Sequence, residues 1–345
     1  MYQLSKTTKR ILGAIGALWL IGFFAIAGAN WRPLDRVEVV HWANGHMMTE
    51  KLFPAFAKKF NSQRHVTASG KPIEVKPLLV NSGTATEELA QRVIAGAPVN
   101  RALPNPTIFT PATEQWLPEL NRQSGRDVTA PRDTKKLAFT WVGIVMLREM
   151  AQCLGWPAKE IGVAEVVALA SDNEGWAKYP CARLGWGKKP LMAYTDPNSS
   201  STGRLMLFTL YSIAAGKPAE QLTEADITRP EVVEFVKRFN LAVDHYIPDT
   251  LALNLKIFNG PAFGHFFFVG EDNLVGLYEG RETTGVFASG TKREQLHHNM
   301  VMVYPKEGSS ANYHSAAILR ASWVTEEQRE AAEAWVSFLR EEAQQ

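Results

Sequence analysis

Residues 73–98, IEVKPLLVNSGTATEELAQRVIAGAP, carry the pattern from which the fold class follows. Ile73 to Val80 is a β-rich run, Ser82-Gly83-Thr84 interrupts it, and the next stretch reads as a helix. Thr84 and Glu87 fit a capping box at the start of that helix, and Gly96 and Pro98 mark its end. A strand, a short polar loop and a helix make one unit of a parallel α/β sheet. The unit also occurs just before: Val37 to Trp42 (VEVVHW) ends at the turn signal Ala43-Asn44-Gly45. A helix is expected from near Thr49, with Leu52, Phe53, Phe56 and Phe60 on one stripe. Thr107 to Thr110 is a short third strand.

A second series of the same kind begins after residue 137. Leu137 to Leu147 is a long apolar run suited to a strand that passes between two lobes. Helices are expected near 163–171 and 203–215. The second of these follows the strand Leu191 to Tyr194 and the polar run Thr195 to Gly203, and it stops at Gly216 and Pro218. A helix from Thr228, capped with Glu231, carries Val232, Phe235, Val236 and Phe239. Strands are expected at Asn273 to Tyr278 and Met300 to Tyr304, and Thr325 with Gln328 forms a capping box for the last helix. The expectation is an α/β chain of two lobes, 36–137 plus 300–345 and 138–299, joined by a hinge.

Lys6, Lys9 and Arg10 precede the uncharged run Ile11 to Ala29, which closes on the small-residue triplet Ala27-Gly28-Ala29. This is the pattern of an export signal. Nineteen apolar residues at ~1.5 Å rise also nearly span the ~30 Å hydrocarbon core, so residues 1–29 read either as a cleaved signal peptide or as a transmembrane anchor. Without them, 34 basic face 35 acidic side chains. So balanced a body, without basic stripes, excludes a nucleic-acid partner. In an exported protein Cys153 and Cys181 either form one disulfide or stand as two separate buried thiols.

Catalytic signatures are missing: the sequence holds no G-x-S-x-G, Walker A, H-E-x-x-H, Rossmann glycine motif or C-x-x-C. His297-His298 reads as a solvated strand end, and His41 with His46 makes a weak zinc site. No cofactor, metal or catalytic residue is therefore expected. What remains are strand ends leading into helix starts rich in Ser, Thr and Gly, which bind polar groups through unpaired backbone N–H. Ser82-Gly83-Thr84 and Ser199-Ser200-Ser201-Thr202-Gly203 are the two candidates. Each alone also fits plain helix capping. One in each series favours a ligand site, because such sites lie beyond the carboxyl ends of strands. Arg204 beside the second run opposes the helix dipole, which fits either a negative partner across the cleft or a solvated surface position.

Leu154-Gly155-Trp156-Pro157, Trp176, Thr195-Asp196-Pro197, Ser199 to Gly203, Gly260-Pro261, Leu274-Val275 before Tyr278-Glu279, Val303 to Gly308 and Ser322-Trp323-Val324-Thr325 occur in that order. From about residue 37 to 340 the chain thus resembles bacterial extracellular solute-binding proteins of the type II periplasmic-binding-protein fold. It is most similar to the molybdate/sulfate-like subgroup that accompanies von Willebrand factor A domain proteins. The resemblance implies a small-molecule or oxyanion solute, an ABC-type permease or a von Willebrand factor A protein as partner, and a location outside the cytoplasm. It places ligand contacts at Asn44, Ser82, Gly83, Ala112, Thr113, Ser199, Ser200, Ser201, Thr202 and Tyr278. Two departures count against an oxyanion: Thr140-Trp141 stands where the family has Ser-Pro, and Asn44-Gly45-His46 replaces a Ser-rich first loop. The competing functions are a ligand-free interaction ectodomain, which bulky aromatics such as Phe266, Phe267 and Phe268 in the cleft would favour, and an extracellular serine hydrolase built on Ser199 to Ser201.

Overall fold

The computed structural model describes residues 35–44, 52–96, 102–257, 260–279 and 299–342. The expected export segment lies outside them, as do Gly45, His46, His297 and His298. Nine strands are described: β1 Val37–Ala43, β2 Ile73–Leu79, β3 Ile108–Thr110, β4 Thr134–Leu147, β5 Met192–Thr195, β6 Val243–Ile247, β7 Phe266–Gly270, β8 Met300–Val303 and β9 Ala311–Ile318. The described helices are α1 Phe53–Ser62, α2 Ser82–Ala95, α3 Trp116–Ser124, α4 Arg148–Cys153, α5 Val163–Ala170, α6 Ser201–Ala215, α7 Glu224–Ile227, α8 Pro230–Ala242, α9 Thr250–Ile257, α10 Glu271–Glu279 and α11 Glu326–Glu342. None of them is long and apolar enough to cross a membrane.

The strands run in the order β2-β1-β3-β9-β4-β7-β5-β6, with β8 also on β4. Two similar halves lie in that order. In the first, β1 pairs in parallel with β2 and β3, and β9 closes on β3 antiparallel. In the second, β5 pairs in parallel with β6 and β7, and β4 closes on β7 antiparallel. Central parallel strands are covered by helices on both faces, which is why β1 and β7 read as near-continuous apolar runs. The long β4 joins the halves: Thr134 to Trp141 pairs with β9, whereas Val142 to Leu147 pairs with β7 and β8.

Each half has its own core. Phe53, Phe60, Trp335 and Phe338 pack with Val39, Val75 and Ile108 in the first. Met146, Trp176, Tyr194, Phe239, Phe266 and Phe268 pack in the second, together with Val301 and Val303 of β8. Cys153 and Cys181 form a disulfide, Cα atoms 5.7 Å apart, which ties the end of α4 to a loop of the second half.

Three local expectations change. The expected strand Asn273 to Tyr278 is helix α10: Leu274 and Leu277, three apart, are buried while Val275 is exposed, the spacing of a helix face. The N-cap of α2 is Asn81, not Thr84, because the Asn81 side chain accepts from the backbone N–H of both Gly83 and Thr84. Thr228 ends α7, and α8 begins at Pro230, whose fixed φ and missing N–H suit a first turn. The capping box of α11 forms as expected, with Thr325 N–H donating to Gln328 Oε1 and Gln328 N–H to Thr325 Oγ, each at 3.1 Å.

Candidate functional site

The two serine-rich helix starts meet face to face where the halves join. Ser82 Oγ accepts the backbone N–H of Ala112 at 3.0 Å and the hydroxyl of Ser201 at 3.1 Å. Ser201 Oγ in turn accepts the indole N–H of Trp116 at 2.8 Å. All three side chains are buried, so this chain of bonds spans the seam out of water. Gly83 is needed for the approach: a Cβ there would sit 2.9 Å from the Cα of Ser199. Arg204 lies with its guanidinium 3.6 Å from the Trp116 ring centre, and its Nε–H donates to the Pro197 carbonyl at 3.3 Å. Across the seam it faces the Trp116 ring, with the negative charge of Glu119 also acting on it.

Beside this contact is a cavity of about 200 Å³. Asn44, Ala112, Ser199, Ser200, Ser201 and Thr202 line it, six of the ten expected ligand positions. Ser82 and Gly83 lie behind them in the contact between the halves, and buried Thr113 turns its hydroxyl to Gln115. Tyr278 is elsewhere: it packs in the second half against the cluster of Leu253, Leu274 and Leu277, and its hydroxyl donates to the Met300 carbonyl.

Sequence reasoning missed Asn81, Asp249, Thr250, Asp272, Asn273, Asn312 and His314, which also line the cavity. Asp249 stands just before α9 and accepts the Ala252 N–H at 2.8 Å, a cap signature legible in Pro248-Asp249-Thr250. Asn312 and His314 alternate on β9, so both face the same side of an otherwise largely apolar strand. That alternation was the available signal. Asp272 is the second residue of α10, where the sequence pattern points to a strand.

Asn312 Oδ1 and His314 Nδ1 are buried without a hydrogen-bond partner among the described residues. Burial pushes the His314 imidazole below its ordinary pKa, partly opposed by the nearby charge of Asp272. His41 belongs to the first core, where Trp335 N–H donates to its Nδ1 at 3.0 Å and its Nε2 bonds Thr110 Oγ1 at 2.7 Å. Among the described residues no three His, Cys, Asp or Glu side chains are grouped to hold a metal. Phe266, Phe267 and Phe268 are all buried in β7, within the cores.

No family model matches the sequence, and no curated protein does. Solved structures do match the fold. The sulfate-binding protein SubI from Mycobacterium tuberculosis H37Rv superposes with a TM-score of 0.54 at 13% identity, over 88% of this chain and 82% of that one. A periplasmic thiamin binding protein gives 0.55 at 10% identity, over 89% and 80%. Iron-bound HitA from Pseudomonas aeruginosa gives 0.54 at 13%, over 89% and 83%. The described chain thus has the two-lobed type II periplasmic-binding-protein fold, with its cavity between the lobes.

Proposed function

We propose that this chain is an extracytoplasmic solute-binding protein that closes its two lobes on a small polar ligand and presents it to a membrane transporter or sensor. The supporting observation is the cavity itself: it lies at the seam, takes residues from both halves, and is lined by polar side chains rather than filled by aromatics. Hinge motion is the mechanism, with β4 and the return from β8 to β9 as the two crossings. The proposed division keeps 36–137 and the chain from β9 onward as lobe one, with β8 packed on lobe two. The disulfide and the periplasmic neighbours support a location outside the cytoplasm. An ABC-type permease is the proposed partner, with a von Willebrand factor A protein as the alternative.

The ligand-free ectodomain loses its favouring feature, because the three phenylalanines sit in the cores. A serine hydrolase also lacks support. Ser201 gives its proton to Ser82, and Ser199 donates to the Pro248 carbonyl at 2.5 Å, so neither hydroxyl is paired with an imidazole. Native mass spectrometry of protein purified without refolding is the test. A co-purified solute should appear as a mass increment that Gly83→Trp and Ser201→Trp both abolish. Retention of that increment in both variants would place the site elsewhere, and ester or peptide turnover lost in Ser201→Ala would replace the binding reading.

A further inference from the structure

The hydrogen-bonding groups around the cavity are unequally used. Several of its donors are spent within the chain: the Asn44 amide on the Val80 carbonyl at 2.9 Å, the Asn273 amide on Asp272 Oδ1 at 3.2 Å, and the Ser199 and Thr250 hydroxyls on Pro248 and Thr202. Its acceptors are not. Among the described residues, the Asp249 side chain accepts only through Oδ1, from Ala252 N–H, and that of Asp272 only through Oδ1, from Thr140 Oγ1 at 2.9 Å and from Asn273. Among the described residues Asn312 Oδ1 accepts from nothing and His314 Nδ1 has no hydrogen-bond partner, although the two residues are 4% and 5% exposed. Buried acceptors without donors are costly, so a ligand here must bring hydrogen-bond donors.

Charge narrows the class. Among the described residues lining the cavity there are two carboxylates and no Lys or Arg. Helix starts would ordinarily draw an anion to such a place. These starts are already served by the chain: Asn81 caps α2, Ser200 caps α6, Asp249 caps α9, and Glu271 with Asp272 occupies the first turn of α10. A metal ion is disfavoured, since no cluster of ligating side chains converges. The volume of about 200 Å³ falls below the ~300–1,000 Å³ usual for drug-sized ligands, so the ligand is small.

We propose that the cavity selects a small nitrogen cation, an ammonium or guanidinium bearing several N–H donors, held by Asp249, Asp272 and the amide oxygen of Asn312. This rests on the solute-binding reading above and names its ligand class. Calorimetry on the exported chain with ethanolamine and agmatine, sulfate and molybdate, and glycerol and xylitol tests it, alongside native mass spectrometry for a co-purified solute. At least one cation should bind, tenfold or more weakly in Asp272→Asn and Asp249→Asn, which keep the shape and the cap. It should bind several-fold more tightly in Asn312→Asp, a gain that a misfolded variant could not produce. Cation binding indifferent to all three substitutions overturns the site. An oxyanion or polyol that binds as well or better in Asp272→Asn overturns the class and leaves solute binding standing. No binding of any probe, with no co-purified solute, overturns both.

Discussion

Asn81-Ser82-Gly83 and Ser199-Ser200-Ser201-Thr202-Gly203 look alike as sequence, and the fold uses them differently. Of the first start only Asn81 reaches the cavity, while Ser82 accepts a bond from the opposite half and Gly83 lets Ser199 approach. The second forms part of the cavity wall. Their glycines differ in the same way. Gly203 lies against its own half, where a Cβ would fall 2.3 Å from the Thr195 carbonyl oxygen. Gly83 lies against the other half. A small residue at a helix start can thus serve packing within a lobe or contact between lobes, and only the neighbour tells which.

Valine substitutions at the two glycines give the largest expected effect. Gly203→Val forces α6 off the end of β5, where backbone cannot yield, and should cost ~3 kcal/mol or more of stability, the upper range for overpacking. Gly83→Val should leave each lobe folded and instead hold the lobes apart, seen as a larger radius of gyration by X-ray scattering, with a much smaller fall in the urea midpoint than Gly203→Val gives. If Gly83→Val unfolds the protein as Gly203→Val does, the two starts do not differ in the way stated.

Acid should act on both halves alike. Each contains a buried Trp–His pair: Trp335 donates to His41 Nδ1, and Trp176 donates to His265 Nδ1 at 3.0 Å. Burial lowers the His41 pKa to about 3 and that of His265 to about 4, and protonating Nδ1 would set N–H against N–H. With a reference value near 6.5, the unfolded chain binds the extra protons first. The stabilisation is fully present above pH ~6.5 and is lost as pH falls toward the folded values. Each imidazole should contribute a loss of about 1.6 kcal/mol between pH 6.5, where the unfolded imidazole is half protonated, and pH 5, with the slope rising toward ~1.36 kcal/mol per unit. Urea midpoints at the two pH values, with NMR of the imidazole protons, check it. Two resonances should stay neutral until unfolding, and a titration near 6.5 by either would end the argument for that half.

The repeated strand-loop-helix unit was legible because three of its signals agree: β-branched runs in Val37 to Trp42, polar loops after them, and Gly96 or Gly216 closing the helices in left-handed geometry. β4 was legible as a crossing strand from length alone. Asn273 to Tyr278 was misread because a six-residue apolar segment fits either period, and the strand it displaced, Phe266 to Gly270, is buried on both faces and shows no alternation. The serine half of the cavity followed from helix-start chemistry. The acidic half did not, because Asp249, Asp272 and the pair Asn312 and His314 come from three separate places in the chain and acquire a common purpose only where α9, α10 and β9 converge.

The smallest effect tests whether the starts meet at all. Ser201→Ala leaves the buried Trp116 N–H without its acceptor, a cost of ~1–3 kcal/mol, while Ser82→Ala removes the acceptor of the Ala112 N–H and the far end of the Ser201 bond. If the hydroxyls bond across the seam in solution, the two losses share one interaction. The double variant should then be less destabilised than the sum of the single ones, by about 0.5–1.5 kcal/mol, the net worth of one hydrogen bond. The readout is a double-mutant cycle by urea unfolding of the full chain. Additive losses would mean that the Ser82 and Ser201 hydroxyls do not bond each other in solution, so that the two starts do not meet directly and Ser201 crosses the seam only through Trp116.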